Sequence, residues 1–385
     1  MLKNIFYGIA ALILLVPLIM FLAWFLTPQT KLVTAIIDKT VLTSDGQEHI
    51  SLNWILNHER YTKTSKKSYH TSRDYYGFFP LKDEKFKIKG LERFSASQLK
   101  QLSADADLVY FTDTYGIYNN EWYQKKNVNE RSGMLYGGLS NKDVELLGLM
   151  KAKKKLIIAE FNTIGSPTDS TTRARFEEIF AMRWTGWTAR FFENLDTLVN
   201  KELPLWLINN YKKSHQNQWP FKKSGIAFVS NNEQVTILED STHLSDPMPH
   251  IISSAYAQKN LALPSKIKYS FWFDIIIPDS KINQSISTFK ISANNRGLAE
   301  LKRFGIPAVF PAVIMHKGSD YSFYYFSGDF CDNAISVNTS YFKGISYFKW
   351  LFYNDHDPTE QSGFFWNFYR PMLSNILKEY SSDRR

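Results

Sequence analysis

The sequence predicts an α/β protein with an open, mostly parallel sheet, an inserted antiparallel β subdomain and one preceding transmembrane helix. Short apolar runs that end in a carboxylate alternate with helix-like segments in the first half of the 385-residue chain. This order is typical of a parallel sheet covered by helices on both faces. From residue 224, alternating polar and apolar residues between turn signals indicate antiparallel hairpins.

The N-terminal apolar run predicts a membrane anchor. Ile5–Leu26 contains no charged residue, and as a helix it would span about 33 Å, close to the hydrocarbon thickness of a bilayer. A bilayer helix tolerates Pro17, and Trp24 lies near the far end, where interfacial aromatic residues occur. A cleavable signal peptide is the alternative, but the run exceeds the usual ~7–15 residues and no small-x-small site follows it.

The expected location is the cell membrane, with a single pass and the bulk of the chain extracytoplasmic. Charges around the anchor give little orientation signal, because Lys3 precedes it while Lys31 and Lys39 follow. The terminal position of the anchor and the absence of a second apolar run favour an external body. The single cysteine, Cys331, is more typical of a bacterial exported protein than of a eukaryotic ectodomain.

The net charge of +9 does not indicate nucleic acid as a partner. The lysines are spread along the chain, and an exported protein seldom meets nucleic acid. A solvated basic surface, or one that faces anionic lipid or acidic polymer, is the expectation instead.

The elements of the first half follow in order. The stretch Tyr61–Lys89 is interpreted as a surface excursion, and the segment Arg183–Phe192 is rich in tryptophan. Ser140, with Asp143 three residues later, is a capping box that starts a helix. The expected strands are Lys31–Thr40, Ala106–Thr112 and Leu156–Phe161, and the expected helices are Ile50–His58, Ser97–Ser103, 140–155 and Arg173–Met182.

The second half is expected to complete the sheet. Gly297–Phe304 reads as a helix, Ala308–Met315 and Tyr321–Ser327 as a hairpin, and Phe365–Tyr380 as a C-terminal helix. The predicted domains are an anchor (1–30), the first part of the sheet domain (31–223), the inserted antiparallel subdomain (224–293) and the completion of the sheet domain (294–385).

Polar side chains follow each expected parallel strand. Because ligands bind beyond the carboxyl ends of the strands of an open α/β sheet, these residues are candidates for one acidic groove. A carboxylate at a strand end is also a common turn cap, so each one alone has a structural interpretation. The candidates are Asp38, Asp113, Tyr115, Glu160, Asn162, Asp329 and Asp332.

Further candidates lie outside the strand ends. Trp184, Trp187 and Arg190 would stack on sugar rings and bind an anionic group if exposed, and would be core residues if buried. Arg173, near a helix start, is a candidate for a carboxylate or phosphate. His316, at the end of an apolar strand, is the histidine singled out for testing.

Standard catalytic and cofactor motifs are absent from the sequence. There is no G-x-S-x-G or G-x-C-x-G elbow, no HExxH zinc motif and no Gly-rich phosphate loop. We therefore expect no cofactor and no zinc, and Cys331 is interpreted as a small packed residue.

The order of elements, with a late hairpin ending in YYFSGDFCDN, resembles the class I glutamine amidotransferase-like superfamily, including its non-catalytic ThuA-type members. The resemblance covers Lys31–Phe192 and Gly297–Asn333 and implies a flavodoxin-like sheet. The family's cysteine nucleophile after the third strand is replaced here by the segment Glu160–Asn162, which argues against glutamine hydrolysis.

Three functional hypotheses follow. The first is an accessory protein of cell-envelope or exopolysaccharide assembly that binds a saccharide or an envelope protein through the acidic and aromatic groove. The second is a glycan hydrolase with Asp113 and Glu160 as its acid–base pair. The third is a structural protein whose strand-end carboxylates are only turn caps.

Overall fold

The architecture is built around a ten-stranded sheet and a second, four-stranded sheet. The computed structural model describes residues 15–43, 48–123, 132–354, 356–357 and 359–384. The described strands are β1 (Thr30–Lys31), β2 (Thr34–Asp38), β3 (Tyr61–Thr62), β4 (Tyr76–Pro80), β5 (Phe86–Ile88), β6 (Leu108–Asp113), β7 (Ile117–Tyr118), β8 (Met134–Tyr136), β9 (Leu156–Glu160), β10 (Met182–Phe192), β11 (Gly225–Ser230), β12 (Val235–Glu239), β13 (His250–Ser253), β14 (Lys266–Lys268), β15 (Phe273–Pro278), β16 (Gln284–Lys290), β17 (Val309–Lys317) and β18 (Ser322–Phe326).

Helices cover both faces of the large sheet. A π-helical turn, Phe365–Tyr369, joins the last two, and 3₁₀ segments lie at Leu91–Arg93, Val337–Tyr341 and Ile345–Leu351. The described helices are α1 (15–26), α2 (Ile50–His58), α3 (Ala96–Asp105), α4 (Asn119–Trp122), α5 (Asn141–Ala152), α6 (Ser170–Phe180), α7 (Leu205–Ser214), α8 (Ala255–Leu261), α9 (Asn295–Arg303), α10 (Gln361–Phe364) and α11 (Arg370–Asp383).

The α/β class is confirmed, with parallel strands at the centre of the large sheet. Its order is β14-β13-β16-β17-β18-β9-β6-β2-β4-β5. The five strands from β18 to β4 are parallel, and the remaining strands on either side are antiparallel. The second sheet, β12-β11-β10-β15, is antiparallel throughout.

One segment forms strands where the sequence suggested a surface excursion, and a second forms a strand where no element was assigned from the sequence. The expected surface excursion contains β4 and β5, which extend the large sheet, because the buried rings of Tyr75 and Phe78 need a covered face. The tryptophan-rich segment forms β10, the longest described strand. The strands of residues 224–293 divide between the sheets: β11, β12 and β15 lie in the small one, and β13, β14 and β16 in the large one.

The central strands are apolar throughout because both of their faces are covered. Every residue of β2, β6 and β9 is buried. Alternate side chains point to opposite faces, so Ile36 and Tyr110 pack with α2 and α11, while Ile37 and Val109 pack with α3, α5 and α6.

Capping residues fix where the helices start. Ser95 and Ser140 form capping boxes at α3 and α5. α6 begins at Ser170 rather than Arg173, because Asp169 accepts hydrogen bonds from the backbone N–H groups of Thr171 and Thr172.

α1 packs on the body along one face. The indole N–H of Trp24 donates to the Asn57 carbonyl at 3.0 Å, and the Arg60 guanidinium lies 4.3 Å from the Trp24 ring centroid. Within the described ranges, no helix is both long and apolar enough to cross a membrane. The first ten residues of the expected transmembrane run, 5–14, lie outside the described residues.

Candidate functional site

A cavity of about 510 Å³ opens beyond the carboxyl edge of the parallel strands, within the ~300–1,000 Å³ typical of small-molecule sites. Residues of the large sheet meet β10, β11 and the start of α7 there. Seven of the residues singled out from sequence line it: Asp113, Tyr115, Asn162, Trp184, Arg190, Asp329 and Asp332.

Three carboxylates form the most acidic part of the cavity. Oxygens of Glu48, Asp329 and Asp332 lie within 4.8 Å of one another. Burial, and then the negative charges of Asp332 and Asp329, raise the pKa of Glu48 well above its usual range. Burial and neighbouring carboxylates likewise raise the pKa values of Asp329 and Asp332. Such a group retains protons to higher pH than isolated carboxyl groups do, or accommodates a hard cation through its oxygens.

Asp113 lies next to this cluster at the end of β6. Burial, with a further contribution from the charge of Asp38, raises the pKa of Asp113 to about 7, although hydrogen bonds from Tyr115, Thr40 and Asn162 oppose the shift. Its carboxyl group is therefore close to half-protonated at neutral pH.

Asn162 shapes the turn after β9. Its φ of 62° lies in the left-handed region, which asparagine tolerates better than most residues. Its backbone N–H donates to Asp274 Oδ2 at 3.1 Å, and Thr188 Oγ1 donates to the other oxygen of the same carboxylate at 3.0 Å. Asp274 therefore ties the cavity turn of the large sheet to the second sheet.

Asp38 lies behind the cavity wall rather than on it. It is fully buried, and its Oδ2 is 2.6 Å from His49 Nδ1. His49 Nε2 is 2.8 Å from the Thr71 carbonyl, which can only accept, so Nε2 donates. His49 Nδ1 is therefore the ring nitrogen that hydrogen-bonds to Asp38. Asp38 acts on the cavity through its effect on Asp113 and Asp332.

Glu160 does not line the cavity. Its Oε2 accepts hydrogen bonds from the backbone N–H groups of Phe330 at 3.0 Å and Cys331 at 2.9 Å, and Oε1 accepts from the Tyr110 hydroxyl. Burial raises the pKa of Glu160 to about 8. Asp113 and Glu160 therefore do not present two accessible carboxyl groups to one ligand.

Some of the arginine and tryptophan candidates line the cavity wall, and others lie in the core. Arg173 donates to the Ile164 carbonyl at 2.6 Å and to the Thr168 carbonyl at 2.8 Å, and its guanidinium lies 4.6 Å from the Trp184 ring centroid. It therefore supports Trp184, a wall residue, rather than facing a ligand. Trp187 packs on Phe304 as part of the core.

Arg190 is the cationic group of the cavity. The nearest carboxylate oxygen to its guanidinium is that of Glu202, at 3.8 Å, and the Arg190 Nε is buried with no hydrogen-bond partner among the described residues. The guanidinium also lies 6.0 Å from the Trp272 ring centroid, so a cation and an aromatic face are presented side by side.

His316 lies at the opposite edge of the sheet, so its assignment to the groove is wrong. β17 runs antiparallel to β18, and its end therefore meets the start of the parallel strands. There His316 hydrogen-bonds to the Ile282 carbonyl and to Asp320, at 2.8 and 2.9 Å, and stacks on Tyr321.

Sequence reasoning missed several lining residues. Glu48 lies two residues before α2, in the loop after β2. Because the loop after a parallel strand opens at the carboxyl edge, its place in chain order was a usable signal. Trp206 and Trp272 come from segments outside the expected strand ends and carried no such signal. Tyr118 follows the turn after β6. All four line the cavity.

Comparison with solved structures shows a resemblance in fold to glutamine amidotransferase-like and ThuA-like proteins. A glutamine amidotransferase from Thermotoga maritima matches 91% of this chain and 98% of its own, with 9% identity and a TM-score of 0.37. A putative ThuA-like protein from Parabacteroides merdae matches 78% of this chain and 79% of its own, with 11% identity and a TM-score of 0.35.

A third match is a β-galactosidase from Bacillus circulans sp. alkalophilus, with 8% identity, a TM-score of 0.26 and 60% of this chain covered. The chain spans only about a fifth of that enzyme's length, 22%. No protein-family model and no curated protein matches the sequence.

Proposed function

We propose that this protein is a membrane-anchored, extracytoplasmic accessory protein of cell-envelope or exopolysaccharide assembly that binds a saccharide in the carboxyl-edge cavity. The observation that carries the proposal is the composition of the cavity wall. Aromatic rings, carboxyl groups and one arginine converge in a space large enough for one or two sugar rings.

The wall suits the two surfaces of a sugar. The C–H face of a pyranose packs on aromatic rings, and Tyr115, Trp206 and Trp272 supply such rings. Sugar hydroxyls donate to carboxylate oxygens, which Asp329 and Asp332 offer. The guanidinium of Arg190 suits an anionic substituent on the sugar, because it matches a carboxylate or phosphate in two-point geometry.

The test is glycan-array screening and calorimetry on the full-length protein in lipid nanodiscs. Trp272→Ala and Asp332→Asn are expected to weaken binding about tenfold each, the equivalent of ~1.4 kcal/mol, by removing a stacking face and an acceptor. Asp105→Asn is the matched control, because Asp105 is an exposed carboxylate at the end of α3, by the amino edge. Unchanged binding in both cavity variants, with folding retained, would refute the proposal.

A glycan hydrolase is the second candidate, and the protonation of Asp113 favours it. A carboxyl group with a pKa of about 7 is protonated often enough at neutral pH to serve as a general acid. The second carboxyl group would then come from the cluster of Glu48, Asp329 and Asp332, since Glu160 is closed off. Release of a reducing end from the bound glycan, abolished in Asp113→Asn while binding persists, would identify an enzyme.

A further inference from the structure

A cluster of exposed aromatic and aliphatic side chains lies on the 3₁₀ segment Ile345–Leu351. We call Tyr347, Phe348, Trp350 and Leu351 the aromatic shelf. Their side chains are 85%, 37%, 65% and 59% exposed, respectively. Isolated exposed apolar residues are common, but four within five residues form a patch that needs a partner.

The shelf continues directly from a segment that packs against α1. The Lys343 N–H donates to the Met20 carbonyl at 3.0 Å, and the rings of Tyr341 and Phe342 lie 4.9 and 6.5 Å from those of Trp24 and Phe21. Residue 343 is therefore level with residue 20 of α1. At 1.5 Å per residue, that is about 9 Å before the end of the helix at residue 26.

The rest of α1 presents apolar side chains outward. Ile19 and Phe25 are 62% and 57% exposed, and Leu18 and Leu22 are exposed as well. The chain is uncharged from Ile5 onward to the end of α1. A face of this composition is stable in contact with lipid and costly in contact with water.

We propose that the aromatic shelf inserts into the interfacial layer of the bilayer that receives α1, so that the body is seated on the membrane and not merely tethered to it. This inference rests on the membrane anchor of the proposed function. If α1 enters lipid, a segment level with Met20 reaches the head-group region with it. Tyrosine and tryptophan are the residues enriched at that depth.

The charges beside the shelf fit the same partner. Lys343 precedes the shelf and Lys349 lies within it, between Phe348 and Trp350. Long lysine side chains extend to the head groups while their stems remain in the apolar layer. Lys349 Nζ donates to Asn367 Oδ1 at 2.6 Å, and Lys343 Nζ lies 3.9 Å from Glu59 Oε2.

The contact of α1 and the aromatic shelf with the membrane would determine which way the cavity faces. α1 leads through β1 into the amino end of β2, whereas the cavity lies beyond the carboxyl ends of the same parallel strands. A body seated through α1 and the aromatic shelf therefore turns its cavity away from the lipid surface. A lipid head group of the same membrane would therefore not be its ligand.

The test places an environment-sensitive label on the shelf of the full-length protein in liposomes. Cys331 is 1% exposed, so a fluorophore reacts selectively with an introduced cysteine. Tyr347→Cys and Trp350→Cys are labelled with NBD, and Asn232→Cys, in the exposed β11–β12 turn at the cavity side, is the control. Flotation of the same liposomes measures anchoring independently.

The two shelf labels are expected to shift to the blue and to be quenched by nitroxide lipids, while the Asn232→Cys label is not. Labels that remain water-like at 347 and 350 in protein that floats would overturn the shelf inference and leave the anchor standing. Protein that does not float would overturn the anchor and the shelf together, while glycan binding in nanodisc-free detergent would still report on the cavity.

Discussion

At the residue scale, Glu160 shows how a strand-end carboxyl can support a site without touching its ligand. Its two oxygens bind the Tyr110 hydroxyl and two successive backbone N–H groups, those of Phe330 and Cys331. The N–H groups belong to the turn that carries Asp329 and Asp332 to the cavity. Glu160 is therefore a positioning residue, and its effect on binding would pass through that turn.

Replacing Glu160 by alanine is expected to destabilise the fold by about 3 kcal/mol or more, because three buried hydrogen-bonding groups lose their partner. Glu160→Gln keeps an acceptor for the two N–H groups and is the matched control. Urea unfolding measures both. An alanine variant as stable as the glutamine variant would contradict the role assigned here.

The same pair of proteins tests the protonation of Glu160. Burial raises its pKa to about 8, above the ~4.3 of an unfolded chain, so the folded state binds the proton more tightly. The resulting stability is complete below about pH 4 and is lost as the pH rises towards 8. Between these values the wild type should lose stability relative to Glu160→Gln, and parallel pH profiles would refute this assignment.

At the element scale, the sequence was most informative where apolar periodicity and capping agreed. α2 has the predicted bounds, and Ser140 caps α5 through Asp143 as the capping box requires. β10 was missed because its tryptophans and arginines do not alternate cleanly, and a bulge between Trp184 and Thr188 shifts its register. The strands β4 and β5 were missed because the pairing of β4 with β2 and of β5 with β4, rather than local pattern, decides their state.

The candidate site was likewise predicted only in part. The carboxyl-edge rule brought Asp113, Asp329 and Asp332 together from separate strands, because parallel strands end at one edge. The rule could not show that the Glu160 side chain lies behind the cavity wall, because the burial of a side chain depends on the neighbouring loop. Nor could it anticipate that His316 would lie at the other edge, which follows from the antiparallel direction of β17.

The start of α5 binds a buried lysine, which the sequence alone does not indicate. Asp143 caps α5 through Ser140 and also binds the buried Lys39 ammonium at 2.7 Å. Burial lowers the pKa of Lys39, but the carboxylates of Asp143 and Glu92 outweigh it, and the pKa is raised. The α5 terminus therefore holds a cation beneath the loop that leads from β2 towards the cavity.

Asp143→Ala is expected to cost about 3 kcal/mol, because it removes the fully buried one of the two carboxylates that pair with the Lys39 ammonium and leaves only the more exposed Glu92. Ser95→Ala removes a comparable cap from α3 at an exposed position and should cost only about 1 kcal/mol. Thermal and urea unfolding of the two variants gives the comparison. Equal losses would show that Asp143 acts only as a helix cap.

At the scale of the whole molecule, the two edges of the large sheet hold different features. The amino edge receives the chain from α1, while the carboxyl edge holds the cavity. Trp24 joins α1 to the body: it is 6% exposed, donates to the Asn57 carbonyl, and packs against Arg60 and Tyr341. Together with the contacts of Met20 and Phe21, Trp24 would therefore set the orientation of the cavity relative to a membrane.

Trp24→Ala should accordingly leave α1 in the membrane but release the aromatic shelf from it. The variant loses a buried ring worth ~3–5 kcal/mol of packing, so α1 would no longer hold the body at a fixed depth. With the NBD label at Tyr347→Cys, the variant should still float with liposomes but lose its blue shift and its quenching by nitroxide lipids. Trp24→Phe keeps a ring at the contact and should retain most of both signals. An unchanged label in Trp24→Ala would mean that the shelf binds lipid by itself, without the α1 contact.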